Sequence, residues 1–75
     1  MKEKILTVLR QVLDNKNIDW TCSQSNCIEW DSMNQLNIVV ELESEFDISL
    51  EPEEIVELNN CDDILRIVEL KLSQK

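Results

Sequence analysis

The chain contains no glycine and no histidine, and between Lys16 and Arg66 it contains no lysine or arginine. Each gap removes a class of chemistry. Without glycine there is no phosphate-cradling loop, because the close backbone approach such loops make depends on residues that lack a Cβ. Without histidine, a nucleophilic Ser or Cys has no customary base, which excludes a hydrolase triad in its common form. Cys22, Cys27 and Cys61 have no histidine beside them and no C-x-x-C spacing, so they make no zinc set. They read as reduced, non-ligand thiols of a reducing compartment. The segment from Asp14 to Asp19 fails as a calcium loop, with Lys16 at its third position and no glycine at its sixth. The absence of clustered Lys and Arg argues against nucleic acid and anionic membranes as partners. No continuous apolar run is long enough to suggest a membrane span or a signal peptide, and the expected location is cytoplasmic.

What the chain does contain is acid and periodic apolar residues. It has 75 residues, a formal charge of −9 and 43% hydrophobic residues. That length implies one domain, 1–75, a monomer that buries only about 60% of the surface its unfolded chain exposes. Acids recur at Asp19, Glu29, Asp31, Glu41, Glu43, Glu45, Asp47, Glu51, Glu53, Glu54, Glu57, Asp62 and Asp63. A pair acting as general acid and base needs a cleft that desolvates one member, and a small bundle offers none, so these carboxylates read as solvated helix faces. The expectation is a folded acidic protein whose partners carry positive patches.

The apolar spacing is helical throughout, and no alternating strand pattern or repeat is present. Ile5, Leu6, Val8, Leu9, Val12 and Leu13 predict a first helix from about Lys2 to Asp14. The stretch from Asn15 to Trp30 is polar and aperiodic, a long ordered loop with Trp20, Cys22, Cys27 and Ile28 as its expected anchors. With no glycine available, Asn and Asp must take any left-handed turn positions. Ser32-x-x-Gln35 matches a capping box, placing Ser32 as the N-cap of a second helix that runs through Leu36, Ile38, Val39, Val40, Leu42 and Phe46 to a stop at Asp47. Pro52 suits the first position of a short helix ending near Leu58, with Glu53 and Glu54 near the positive end of its dipole. Asn60 followed by Asp63 opens a final helix with Ile64, Leu65, Ile67, Val68 and Leu72 as its buried stripe. Leu42, Phe46, Leu50, Ile55, Leu58 and Val68 are core by period. The fold class is all-α: three long helices and one short, with a long loop between the first two.

Ser32 stands out within that plan. It is a hydroxyl at a helix start, preceded by Trp30-Asp31 and followed by Met33, in a segment free of basic residues. Asp31-Ser32-Met33, followed by Leu36, Val39, Leu42, Glu43, Glu45, Phe46, Asp47 and Ile48, resembles the phosphopantetheine-attachment region of acyl carrier proteins, where D-S-L opens a helix ending in E-x-E-F. The similarity continues through Pro52-Glu53-Glu54, Leu58, Asn60 and Asp62-Asp63-Ile64 and covers roughly Ile28 to Val68. Met33 stands where the family usually has Leu, and Glu29 where many members have Gly. Trp30 before Asp31 looks like the stand-alone carriers with a W-D-S-L motif. Asn34, Gln35 and Asn37 make the first turns of the helix neutral where fatty-acid carriers are more acidic.

The resemblance implies a four-helix acyl-carrier-like bundle and a protein that is not an enzyme. Ser32 would accept 4′-phosphopantetheine from coenzyme A through a magnesium-dependent phosphopantetheinyl transferase, and the arm would carry acyl groups as thioesters. Implied partners are that transferase, an acyl-loading ligase and downstream acyl- or condensing-type enzymes with basic surfaces. Asp31, Met33, Asn37, Val40, Glu41, Glu43 and Glu54 are the expected partner-binding residues. Met33 and Val40 would be small apolar contacts on one face with Asn37 and Glu41, and Trp30 would be a loop anchor or a wall beside the arm. An aminoacyl or peptidyl carrier is the alternative within the class. An unmodified acidic interaction module is the alternative outside it.

Overall fold

In the computed structural model, which describes residues 1–75, four helices follow the periodic segments in order: α1 (Lys2–Val12), α2 (Ser32–Phe46), α3 (Pro52–Ile55) and α4 (Cys61–Ser73). The only extended pairing is one isolated antiparallel bridge between Ser23 and Asn60. Ile5 and Leu9 of α1, Ile38 and Leu42 of α2, Leu58, and Ile64 and Val68 of α4 are the fully shielded centre of a single cluster of 19 buried residues. Within each of the three helices the two named positions are four residues apart, which puts them on one stripe and turns that stripe inward.

The left-handed positions fall where a glycine-free chain must put them. Asp14 (φ 51°) follows α1, and Asp47 (φ 54°) ends α2, with its N–H donating to the carbonyl of Glu43. Short polar side chains tolerate this conformation better than other Cβ-bearing residues. Helix α1 therefore stops at Val12 rather than reaching Asp14. Helix α3 is also shorter than its sequence suggests, a single turn with Pro52 at its first position. The Glu51 and Glu54 side chains form a capping box there. Its last carbonyl, that of Ile55, and the carbonyl of Leu58 beyond it both accept from Gln35, as described below.

Helix α4 is tied to this region by charge. Lys71 Nζ lies 2.8 Å from Glu54 Oε1, and Lys75 Nζ lies 3.3 Å from Asp47 Oδ2 and 3.2 Å from the carbonyl of Phe46. Asn60 caps α4 by accepting from the Asp63 N–H at 2.8 Å.

The loop between α1 and α2 has few buried apolar residues and is held by hydrogen bonds of high sequence separation. Arg10 Nε donates to the carbonyl of Ile18 at 2.9 Å, and the Gln24 N–H donates to that of Asn59 at 2.8 Å. The Trp20 indole N–H donates to Asp62 Oδ1 at 2.7 Å. Ile18, Cys22 and Trp30 are its buried anchors. Ile28, expected among them, is instead 93% exposed. The neighbouring Trp30 enters the core, and the Trp30 N–H to Cys27 carbonyl turn (3.0 Å) leaves Ile28 on the outside.

The cysteines also depart from expectation. Cys22 and Cys27 are joined as a disulfide, with Cα atoms 6.0 Å apart, within the usual bridging range. A tight turn brings them together: the Cys27 N–H donates to the Ser23 carbonyl at 2.9 Å, and Asn26 Oδ1 accepts the Ser23 N–H at 2.8 Å. Cys61 is free and buried, and burial pushes its thiol up to about 11.

Candidate functional site around Ser32

Helix α2 begins with a cap one residue earlier than the S-x-x-Q pattern indicates. Asp31, in extended conformation, accepts the Asn34 N–H on Oδ1 at 2.8 Å, and its carbonyl accepts from the Gln35 N–H at 2.8 Å. Ser32 is thus the first helical residue rather than the cap. The capping duty passes to the carboxylate, and the Ser32 side chain is exposed at the helix start. Asn34 fixes the approach of the loop by donating from Nδ2 to the Glu29 carbonyl at 2.7 Å.

Gln35 does not fold back to close a capping box, because its side chain is recruited inward. Nε2 donates to the carbonyls of Ile55 at 2.6 Å and Leu58 at 2.9 Å, and Oε1 accepts the Trp30 indole N–H at 2.5 Å. One amide therefore joins the end of the loop, the first turn of α2 and the end of α3. Trp30 is a fully buried anchor. It supports the Ser32 platform from within and does not stand as a wall on its surface.

The expected partner-binding residues divide into two groups. Asp31, Met33, Asn37, Val40 and Glu41 are exposed, and all but Asp31 lie on the outer face of α2. Asn37 is hydrogen bonded only locally, to Asn34 Oδ1 at 3.1 Å. Glu43 and Glu54 are committed to the fold. Glu43 Oε2 accepts the Leu50 N–H at 2.8 Å, while Glu54 pairs with Lys71 and accepts the Glu51 N–H at 2.7 Å. The Lys71 ammonium, and then the Glu51 N–H, hold the Glu54 carboxyl below the usual carboxylate range.

Sequence reasoning missed three exposed apolar residues near Ser32. Leu36, placed along the second helix without a side assigned to it, is 57% exposed, and Ile28 and Val56 also face solvent. Met33 (74%), Leu36 and Val40 (60%) follow one another at intervals of three and four, which is a second apolar stripe on α2 beside the buried one. That spacing was visible, but two apolar stripes on one helix do not declare which of them packs. An open groove beside Ser32 is lined by Gln24, Gln35, Leu36, Ile55 and Val56.

An exposed serine on the first turn of the second of four helices, with a long loop before it and a short third helix beside it, defines a carrier-type bundle. The structure of an acyl carrier protein from Thermotoga maritima superimposes on 96% of this chain and 86% of that one, with a TM-score of 0.79 at 23% identity. No family model matches the chain. Among curated proteins, an acyl carrier protein homolog of Mycoplasma pneumoniae is 30% identical over 82 residues, spanning 100% of this chain and 98% of that protein. The chain belongs to the acyl carrier protein family. Membership gives it a carrier protein's role. No helix is long and apolar enough to cross a membrane.

Proposed function

We propose that Ser32 is the attachment point for 4′-phosphopantetheine and that the chain presents acyl groups to partner enzymes from this end of α2. The observation that carries the reading is the division of labour at the helix start. Asp31 takes the capping bond, which leaves the Ser32 hydroxyl exposed and outside the cap.

The residues present suit the group. The first N–H groups of a helix lack intrahelical acceptors and form its positive end, where a phosphodiester is tolerated or mildly stabilised. In the transfer, the Ser32 oxygen forms the new bond to phosphorus, and adenosine 3′,5′-bisphosphate leaves coenzyme A as the serine proton is lost. The transferase supplies the base and magnesium. Once attached, the arm's terminal thiol supplies thioester chemistry. The chain's own part is to hold Ser32 outward and to provide the docking surface: the apolar stripe of Met33, Leu36 and Val40, with Asp31 and Glu41 offering charge to basic side chains. Docking of this kind is weak and electrostatically steered, which suits a carrier that must leave one enzyme for the next.

Intact mass after incubation with coenzyme A and a broad-specificity phosphopantetheinyl transferase tests the assignment. The expected result is one phosphopantetheinyl group on the wild type and none on Ser32→Ala. An unchanged wild-type mass would favour the unmodified acidic interaction module, and loading of Ser32→Ala would move the site elsewhere. Because Asp31 carries the cap, Ser32→Ala should leave stability within about 0.5 kcal/mol of wild type by urea denaturation.

A further inference from the structure

We infer that Gln35 bars the bundle interior to cargo, so that this carrier holds short or polar acyl groups at its surface and does not bury a long aliphatic chain. The inference rests on the carrier reading of Ser32 and narrows its substrate class. The groove that contains Ser32 runs between α2 and α3, with Leu36, Ile55 and Val56 along it and Gln35 in its lining. A chain tethered at Ser32 and turning inward by this route meets Gln35.

Gln35 is the one polar residue of the buried set, and its amide is used on both sides. It holds the carbonyls of Ile55 and Leu58 and the indole N–H of Trp30 in three hydrogen bonds. No buried side-chain nitrogen or oxygen in the molecule lacks a partner. Behind this network Ile38, Leu58, Ile64 and Val68 are fully shielded, and the surface hollows beside α2 are open to solvent. An alkyl chain entering here would have to part Gln35 from α3. That would strand the Leu58 carbonyl, an indole N–H and an amide in a dry interior, leaving the Ile55 carbonyl only its bond from the Leu58 N–H, and methylene groups offer no donor or acceptor in exchange. An apolar side chain at position 35 would part without that cost. The network therefore selects against long apolar cargo at the point of entry, whereas a short or polar acyl group loses nothing by staying in the open groove.

The test loads the wild-type chain with acetyl-, octanoyl- and dodecanoyl-phosphopantetheine from the corresponding acyl-coenzyme A thioesters, with intact mass establishing loading. The expected result is a set of three melting temperatures within about 2 °C of one another, a spread that corresponds to little or no burial. The Trp30 indole N–H should keep the same hydrogen-exchange protection in all three, and retention on a hydrophobic column should lengthen with the chain. A dodecanoyl form melting more than about 5 °C above the acetyl form, with an exposed or shifted indole N–H, would overturn the inference while leaving the carrier reading intact. A mass that never increases would overturn the carrier reading itself. In Gln35→Leu the melting temperature should become chain-length dependent. Should that variant fail to fold, the wild-type comparison decides alone.

Discussion

The two halves of α2 share a buried apolar side, Ile38 and Val39 in one and Leu42 and Phe46 in the other, but differ in what else they bury and expose. From Leu42 to Phe46 the helix follows the ordinary rule: Leu42 and Phe46 are buried, while Ser44 and Glu45 face water. From Ser32 to Val40 the rule is partly inverted, with an amide, Gln35, inside and Met33, Leu36 and Val40 outside. A helix that only had to fold would gain by exchanging these, because an exposed apolar stripe contributes little and a buried amide must find every partner. On the proposed carrier reading, the inversion in the half of α2 that carries Ser32 is what a surface meant for partner enzymes would show.

The sharpest way to break this contrast is by truncation. Leu42→Ala, in the packed half, should destabilise the fold by about 2–5 kcal/mol through lost burial and a residual cavity, measured by urea denaturation. Gln35→Ala should cost about 1–3 kcal/mol by the same measurement, because it leaves the Leu58 carbonyl and the Trp30 indole without their partner. A cost near zero would mean that water replaces the amide and that the inner face of this half is wetter than it looks. The Met33→Ala, Leu36→Ala pair should change stability by no more than about 0.5 kcal/mol while slowing loading by the transferase. If stability fell and loading did not, the outer stripe would belong to the fold after all.

A last effect, confined to alkaline pH, concerns the buried thiol against which the loop packs. Burial, with Asp62 and Asp19 adding to it, pushes the Cys61 thiol from its ordinary value of 9.0 to about 11. Between those values the unfolded chain has shed a proton that the folded chain keeps, so stability is fully present below pH 9 and falls as pH rises toward 11. Melting temperatures across that range should decline less steeply in Cys61→Ala than in the wild type.

Most of the fold was legible because three- and four-residue spacing specifies which stripe of a helix turns inward, and because Asp47, Pro52 and Asn60 carry their own stop and start chemistry. The place of Ser32 at a helix start was legible by its neighbours. Its role as cap was misassigned because Asp and Ser are both good capping residues, and one position separates them. The decision lies in Gln35, whose amide is drawn away from the helix start by Trp30, Ile55 and Leu58, partners five, 20 and 23 positions distant. The loop was opaque for the same reason. Trp20 to Asp62 and Gln24 to Asn59 are pairings that no local pattern records. The exposed Leu36 and Ile28 were opaque because hydrophobicity alone does not separate a residue that packs from one that waits for a partner.

The two tryptophans give the molecule a pair of built-in optical reporters with separate fields of view. The chain has no tyrosine to blur them. Trp20, half-buried, with the Lys2 ammonium 5.0 Å from its ring centre and its indole on Asp62, watches the junction of the loop with α4. Trp30, dry and bound to Gln35, watches the underside of the Ser32 platform. Single Trp→Phe variants would let emission colour and quenching be read from one junction at a time, so that the loading and unloading of the carrier could be followed without an added dye.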